Sequence, residues 1–282
     1  MRKKLSFCGA LVTILFLVLS IHGCISIDIG GFGDAVAIVE VKGAIVDADD
    51  VTMQLESALK TDSVKAVVLR VDSPGGAVGA SQEIFRKVRE VDKSKPVVAS
   101  MGDVAASGGY YVSAGARYIF ANEGTITGSI GVRMEHLDVS GLLDLVRLRH
   151  ETLKSGEYKD IGSITRAMTE KERALISEIL SELHEQFKAD IASSRKLSPD
   201  YISSIADGRI FTGKTAKELH LIDEIGGISD AIKKAASLAG IKGEPRIIRM
   251  KKHLPWWLEA ILTNADLIGS RFDAAFKYFF YK

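Results

Sequence analysis

Three early runs, AVAIVEVKGAIV (35–46), VKAVVLRVDS (64–73) and KPVVASMGD (95–103), are dense in β-branched residues and bounded by Gly, Pro, Asp or Ser. Near-continuous apolar runs of this length predict strands buried on both faces of a parallel sheet. The first is expected to be a strand pair, or one strand bulged at Gly43. Helices are predicted over 47–60 and over 79–91, where Ile84, Phe85, Val88 and Val91 share a face. ARYIFANEGTITGSIGV (116–132) predicts two more short strands. A helix near 139–148 and a strand near 151–153 are expected next. Residues 169–195 carry a long helical pattern with Leu175, Ile176, Ile179, Leu180 and Leu183 along one face. Thr169 followed by Glu172 marks its start as a capping box. Short helices are expected at 198–206, 215–219 and, after Gly226 and Gly227, 228–239. Strands alternating with helices predict an α/β fold.

The ends break this pattern. MRKK precedes LSFCGALVTILFLVLSI (5–21), which has no charge. Basic residues before the run and none just after place the N-terminus in the cytoplasm and the rest outside. Cys24, in IHGC, sits where a lipoprotein would be cut and lipidated; otherwise the segment stays as an anchor. Both routes hold the protein on membrane lipid. The organisation expected is 1–24 targeting segment, 25–34 linker, 35–240 globular domain and 241–282 C-terminal extension. The extension's HLPWWLEAILTNADLIGSRFDAAFKYFFYK suits a helix docked on its own domain or a neighbouring subunit, or one lying on a bilayer.

Composition narrows the chemistry. The net charge of +1 over 282 residues includes Arg2, Lys3 and Lys4. No basic face is left for a nucleic acid, so no nucleic-acid partner is expected. The only cysteines are Cys8 and Cys24, so the domain has neither a disulfide nor a thiolate nucleophile. The histidines show no metal-ligand spacing, and no cofactor or metal is expected. GRIFTGKT (208–215) satisfies a phosphate-loop pattern, but a short helix precedes it and a short strand lies inside it, so the match carries no weight.

GDVAASGGYYVSAGA (102–116) sets Ser107 among glycine and alanine, at the junction of a strand and a helix. The hydroxyl lies near the helix's positive end. SPGG (73–76) ends the neighbouring strand, and adjacent strand ends converge on one crevice. Amides of Gly75 or Gly76 and of Gly108 would form an oxyanion hole there. The Gly75–Val78 loop is expected to pair with an extended peptide. With no histidine beside the serine in sequence, lysine is the leading base, provided it is neutral. The residues alone do not choose which lysine.

DSPGGAVGAS, GDVAASGGYYVSAGA, TITGSIGV, LKSGEYKDIGS and DGRIFTGKTA, in this order, resemble the single-repeat bacterial signal peptide peptidases of the SppA type, which are Ser-Lys peptidases. The resemblance spans residues 36–238. It implies a crotonase-like (Clp protease-like) fold of repeated ββα units, a membrane anchor with the domain on the extracytoplasmic side, and a homo-oligomer. It also implies peptide substrates, above all leftover signal peptides. By motif, Ser107 matches the nucleophile, Lys159 the general base and Ser129 the hydroxyl that orients the lysine. Gly75, Gly76 and Gly108 match the oxyanion hole. Lys154 is the rival base, expected at a strand end. Two alternatives stand beside this reading: a crotonase-type acyl-CoA enzyme, and a non-catalytic membrane scaffold of the same fold.

Overall fold

A computed structural model describes residues 33–250. The segment 5–21, Cys24 and the aromatic tail lie outside the described residues. Among the described residues no helix is long and apolar enough to cross a membrane.

The chain runs β1 (Ala35–Lys42), α1 (Asp49–Lys60), β2 (Val64–Ser73), α2 (Val78–Asp92), β3 (Val97–Ala106) and α3 (Gly108–Ala114). Then come β4 (Tyr118–Ala121), β5 (Ile126–Gly128), α4 (Ser140–Leu145), α5 (Glu170–Arg195) and α6 (Pro199–Ile205). The last elements are β6 (Ile210–Thr212), α7 (Gly213–Glu218), β7 (Glu224–Ile225), α8 (Ile228–Leu238) and β8 (Arg246–Arg249). One sheet in the order β6-β5-β3-β2-β1-β8 holds most of the strands, with β4 and β7 branching from β3.

The apolar runs are buried on both faces, as a parallel sheet between helices requires. Alternate residues sort themselves by pleat. Val39, Val41, Leu69 and Val71 face a core shared with α1, α2, α3 and α5. Val36, Ile38, Val68 and Val98 face Ala231 and Ala235 of α8. β3 changes neighbour along its length: Val98–Ser100 pair with β4, whereas Val104–Ala106 pair with β5. The end of β3 thus leaves β4 for β5, whose far edge takes β6 antiparallel.

Four expectations change. After Lys42 the chain turns through Gly43 (φ 68°), and residues 43–46 contribute one bridge, Ile45 to Gly76, rather than a second strand. Residues 151–153 are exposed coil, and among the described residues no strand pairs with them. The sheet extends past residue 240, since β8 pairs with β1. The long helix begins on its capping box at Thr169, but its core contacts are Phe187, Ile191 and Ala192, while Ile179 stays 43% exposed.

The N-terminal half of α5 instead carries an arm, residues 131–168, of which α4 is the only regular element. The arm exposes Leu142, Leu148, Leu145 (80%) and Leu153 (90%). An ion network closes its base. Arg166 reaches Glu172 at the start of α5 and Asp160 (2.9 Å), which also accepts from Lys154 (2.6 Å). Arg166 first, then the Thr169 N–H, holds the buried Glu172 carboxyl down to about 2. The same arginine, with Lys154, holds Asp160 well below the usual carboxylate range. Both groups are ionised more easily folded than unfolded. Their contribution is therefore complete above the ordinary carboxylate pKa, ~4, and is lost as pH falls toward 2. Hydrogen exchange across 154–166 should accelerate over that acid window, and Arg166→Ala should give the same acceleration at neutral pH. Unchanged exchange in the variant would show that the arm is held by something else.

Candidate active site

Ser107 stands between β3 and α3 at φ 52°, ψ −121°. A non-glycine residue there is strained by about 1–3 kcal/mol. Two main-chain bonds hold it: its N–H donates to the Gly128 carbonyl (2.9 Å), and its own carbonyl accepts from the Tyr111 N–H (2.9 Å). The adjacent tyrosines clamp α3 from two sides. Tyr110 is buried and donates to the Leu221 carbonyl (2.9 Å). Tyr111 stacks on Phe187 (4.2 Å between centroids) and donates to Asp190. Burial raises both phenols, and the Asp190 carboxylate adds to the rise at Tyr111.

The glycines around Ser107 are demanded by the chain's own packing. A Cβ on Gly109 would strike the Ser73 carbonyl, and one on Gly108 would strike the Ser81 hydroxyl. At Gly75 (φ 99°) it would sit 2.6 Å from the Gly108 nitrogen. The loop after β2 is thus pressed against the elbow. Its hydrogen bonding decides which amides are free. The Gly75 N–H donates to Ser73 Oγ (3.1 Å). Among the described residues, neither the Gly76 nor the Gly108 N–H has an acceptor. These two amides, near each other beside Ser107, are the pair available to an oxyanion. The loop edge expected to pair with a peptide is largely taken: the Gly75 carbonyl accepts from Ile45, and the Ala77 N–H donates to Ile45.

Ser107 opens into a cavity of about 740 Å³, lined also by Gly75, Gly76, Ser129, Arg133, His184 and Asp207. Ser129 (φ 51°) follows Gly128 (φ 77°) and is pinned by its N–H to the Arg209 carbonyl (2.8 Å). The Gly208 N–H donates to the Ile130 carbonyl (3.1 Å). The phosphate-loop lookalike therefore folds as the strand that props the Ser129 turn.

Of the residues singled out from sequence, Ser107, Ser129, Gly75, Gly76 and Gly108 meet at this cavity or its rim. Lys159 does not: it lies exposed on the arm and is absent from the lining. Lys154 is not at a strand end but paired with Asp160. His184 is a resident the sequence did not suggest. Its Nε2 lies 3.2 Å from the Ile130 carbonyl, so that nitrogen carries the proton and donates. No local motif marks it, because α5 delivers it from a distant segment.

The family model described as peptidase family S49 matches residues 89–242, more than half of the chain. The Clp protease model matches residues 36–125. Two proteins named "Putative protease" are similar to it. The one from Synechocystis sp. is 42% identical over 73% of this chain and 75% of its own length. The one from Methanocaldococcus jannaschii is 44% identical over 69% and 62%. The serine protease SPPA of Arabidopsis thaliana chloroplasts is 36% identical over 71% of this chain and 30% of its own length. The matched segment holds the Ser107 elbow, the Ser129 turn and the β6 prop together, and the chain belongs to peptidase family S49, as a serine peptidase built on a Clp protease-like core.

Proposed function

We propose that this protein is a membrane-held endopeptidase that degrades cleaved signal peptides and other short apolar peptides, with Ser107 as nucleophile and Lys159 as base. The observation that carries the reading is the strained elbow, which presents one hydroxyl to a cavity beside two unpaired amides. Ser107 Oγ attacks the scissile carbonyl and its proton passes to the neutral Lys159 amine. The oxyanion is held by the Gly76 and Gly108 N–H groups. Collapse gives the acyl ester and returns the proton to the leaving amine, and water then hydrolyses the ester. Ser129 orients the amine. Segment 5–21, or lipid on Cys24, keeps the enzyme on the extracytoplasmic face of the membrane, where such peptides accumulate.

Within one chain the arm holds Lys159 away from the Ser107 cavity and leaves large leucines uncovered. Both facts support a homo-oligomer in which the arm of one subunit brings Lys159 over the next subunit's serine. A second reading has one observation behind it. His184 lines the same cavity within its own chain and would be the base of a Ser-His pair.

Ser107→Ala should lower peptide hydrolysis by at least ~10⁴-fold and abolish labelling by a fluorophosphonate, with thermal unfolding unchanged. Near wild-type turnover would remove Ser107 from the mechanism.

Lys159→Arg should be as inactive as Lys159→Ala, because a guanidinium keeps its proton. Mixing inactive Ser107→Ala and Lys159→Ala chains should restore hydrolysis, since some interfaces then pair an intact serine with an intact lysine. No restoration would place the dyad within one chain. An active Lys159→Arg beside an inactive His184→Gln would move the base to His184.

A further inference from the structure

A second cavity, of about 430 Å³, lies along α5 from the first, and nothing in the chemistry above uses it. It is lined by Met134, His136, Met168, Arg173, Ile176 and Leu180, among others. Arg173, Ile176 and Leu180 share a helix face with His184, which lines the Ser107 cavity, because residues three and four apart stack on one side. The opposite wall is shared too. Gly131, Val132 and Arg133 line the first cavity, and Met134 and His136 line the second. The two cavities thus lie along the same two walls, α5 and the root of the arm.

Two features show what the space between these walls lacks. Among the described residues, the main-chain N–H and C=O groups of 131–138 have no main-chain partners; the next bond is Val139 N–H to the Ile164 carbonyl. Main chain without main-chain partners is a template for adding a strand. His136 Nε2 is buried without a hydrogen-bond partner, in a lining where Met134, Ala167, Met168, Ile176 and Leu180 stand beside the polar Asp138, Arg173 and Ser177. A buried polar atom of this kind calls for a hydrogen bond from whatever fills the space.

We infer that the second cavity is a distal subsite for an apolar side chain of the peptide being cleaved. This rests on the assignment of Ser107 as nucleophile. The peptide lies extended along 131–138, pairs with that backbone and meets His136 with a main-chain polar group. From His184 back to Leu180 and Arg173 the helix rises about 6 and 16 Å. An extended peptide advances about 3.3 Å per residue. The subsite therefore reads a residue about two to five positions from the scissile bond. Such spacing favours unbroken apolar segments over peptides with one apolar residue at the cut.

The experiment uses the full chain in detergent and quenched-fluorescence peptides in which one leucine is walked through an alanine background. One position, two to five residues from the cut, should raise kcat/KM about tenfold, in the range for one aliphatic group in a fitted pocket. Ile176→Ala should shift that preference from leucine to phenylalanine, and Leu180→Gln should erase it, each read as a ratio within one enzyme. Met53→Ala, exposed on α1, should leave the ratio alone. A flat leucine walk, or a preference that survives both variants, overturns the subsite. So does a changed sedimentation coefficient in Leu180→Gln, which would make the cavity a contact between subunits. These failures leave Ser107 labelling intact, whereas failure of the nucleophile assignment removes it.

Discussion

The backbone at Ser107 must pass from a parallel strand into a helix within one residue, at positive φ. That turn is unfavourable for an L-residue. It persists because its carbonyl and amide are bonded on two sides and because Tyr110 and Tyr111 fix the helix that follows. The same turn dictates much of the neighbourhood. β3 must leave β4 and join β5 so that the Gly128 carbonyl can reach Ser107. The loop after β2 must be glycine, because it packs against the elbow with no room for side chains. Gly76 and Gly108 then keep unpaired amides as a consequence of the crowding, since the loop's other polar groups are turned toward Ile45 and Ser73.

α5 connects this elbow to the rest of the molecule. Near its C-terminal end Phe187 stacks on Tyr111 and Asp190 takes the tyrosine hydroxyl. One turn earlier His184 donates to the carbonyl after Ser129. At its first turn Glu172 grips Arg166 at the base of the arm. One rigid helix thus sets the positions of the serine's helix, the Ser129 turn and the segment bearing Lys159. Its apolar stripe has two uses along its length. The C-terminal half is buried in the core, while the N-terminal half lines a cavity.

Most of the sheet was legible in the sequence because strands buried on both faces leave unbroken apolar runs, as at Val64–Ser73. The start of α5 was legible because its cap is local chemistry: Thr169 and Glu172 satisfy each other's amides. The elbow was legible as an excess of small residues around one serine, although the pressure on those residues comes from the chain's own loop. Other features depend on distant partners and leave no local signature. β8 is four residues long and exists through β1. His184 resembles any polar position on a helix. Residues 151–153 have strand-like composition, but among the described residues no strand pairs with them. The pairing of Lys159 with Ser107 rests on the motif resemblance alone, and the fold of one chain keeps the two apart.

That separation has a chemical consequence under the proposed function. A serine hydroxyl without a base is a poor nucleophile, however well its oxyanion is provided for. An isolated chain would present a finished elbow and two unpaired amides, yet remain nearly inert. Assembly would supply the missing amine and, in the same step, cover the leucines of the arm. Burial of those side chains stabilises association by about 1.5–3 kcal/mol for each one fully covered. On that reading, the surfaces that would drive assembly and the group that would complete the chemistry lie on one arm, held by one ion network. Under the proposed function, activity and association would then rise together with protein concentration, because an arm delivering Lys159 to a neighbour would also dock its apolar face.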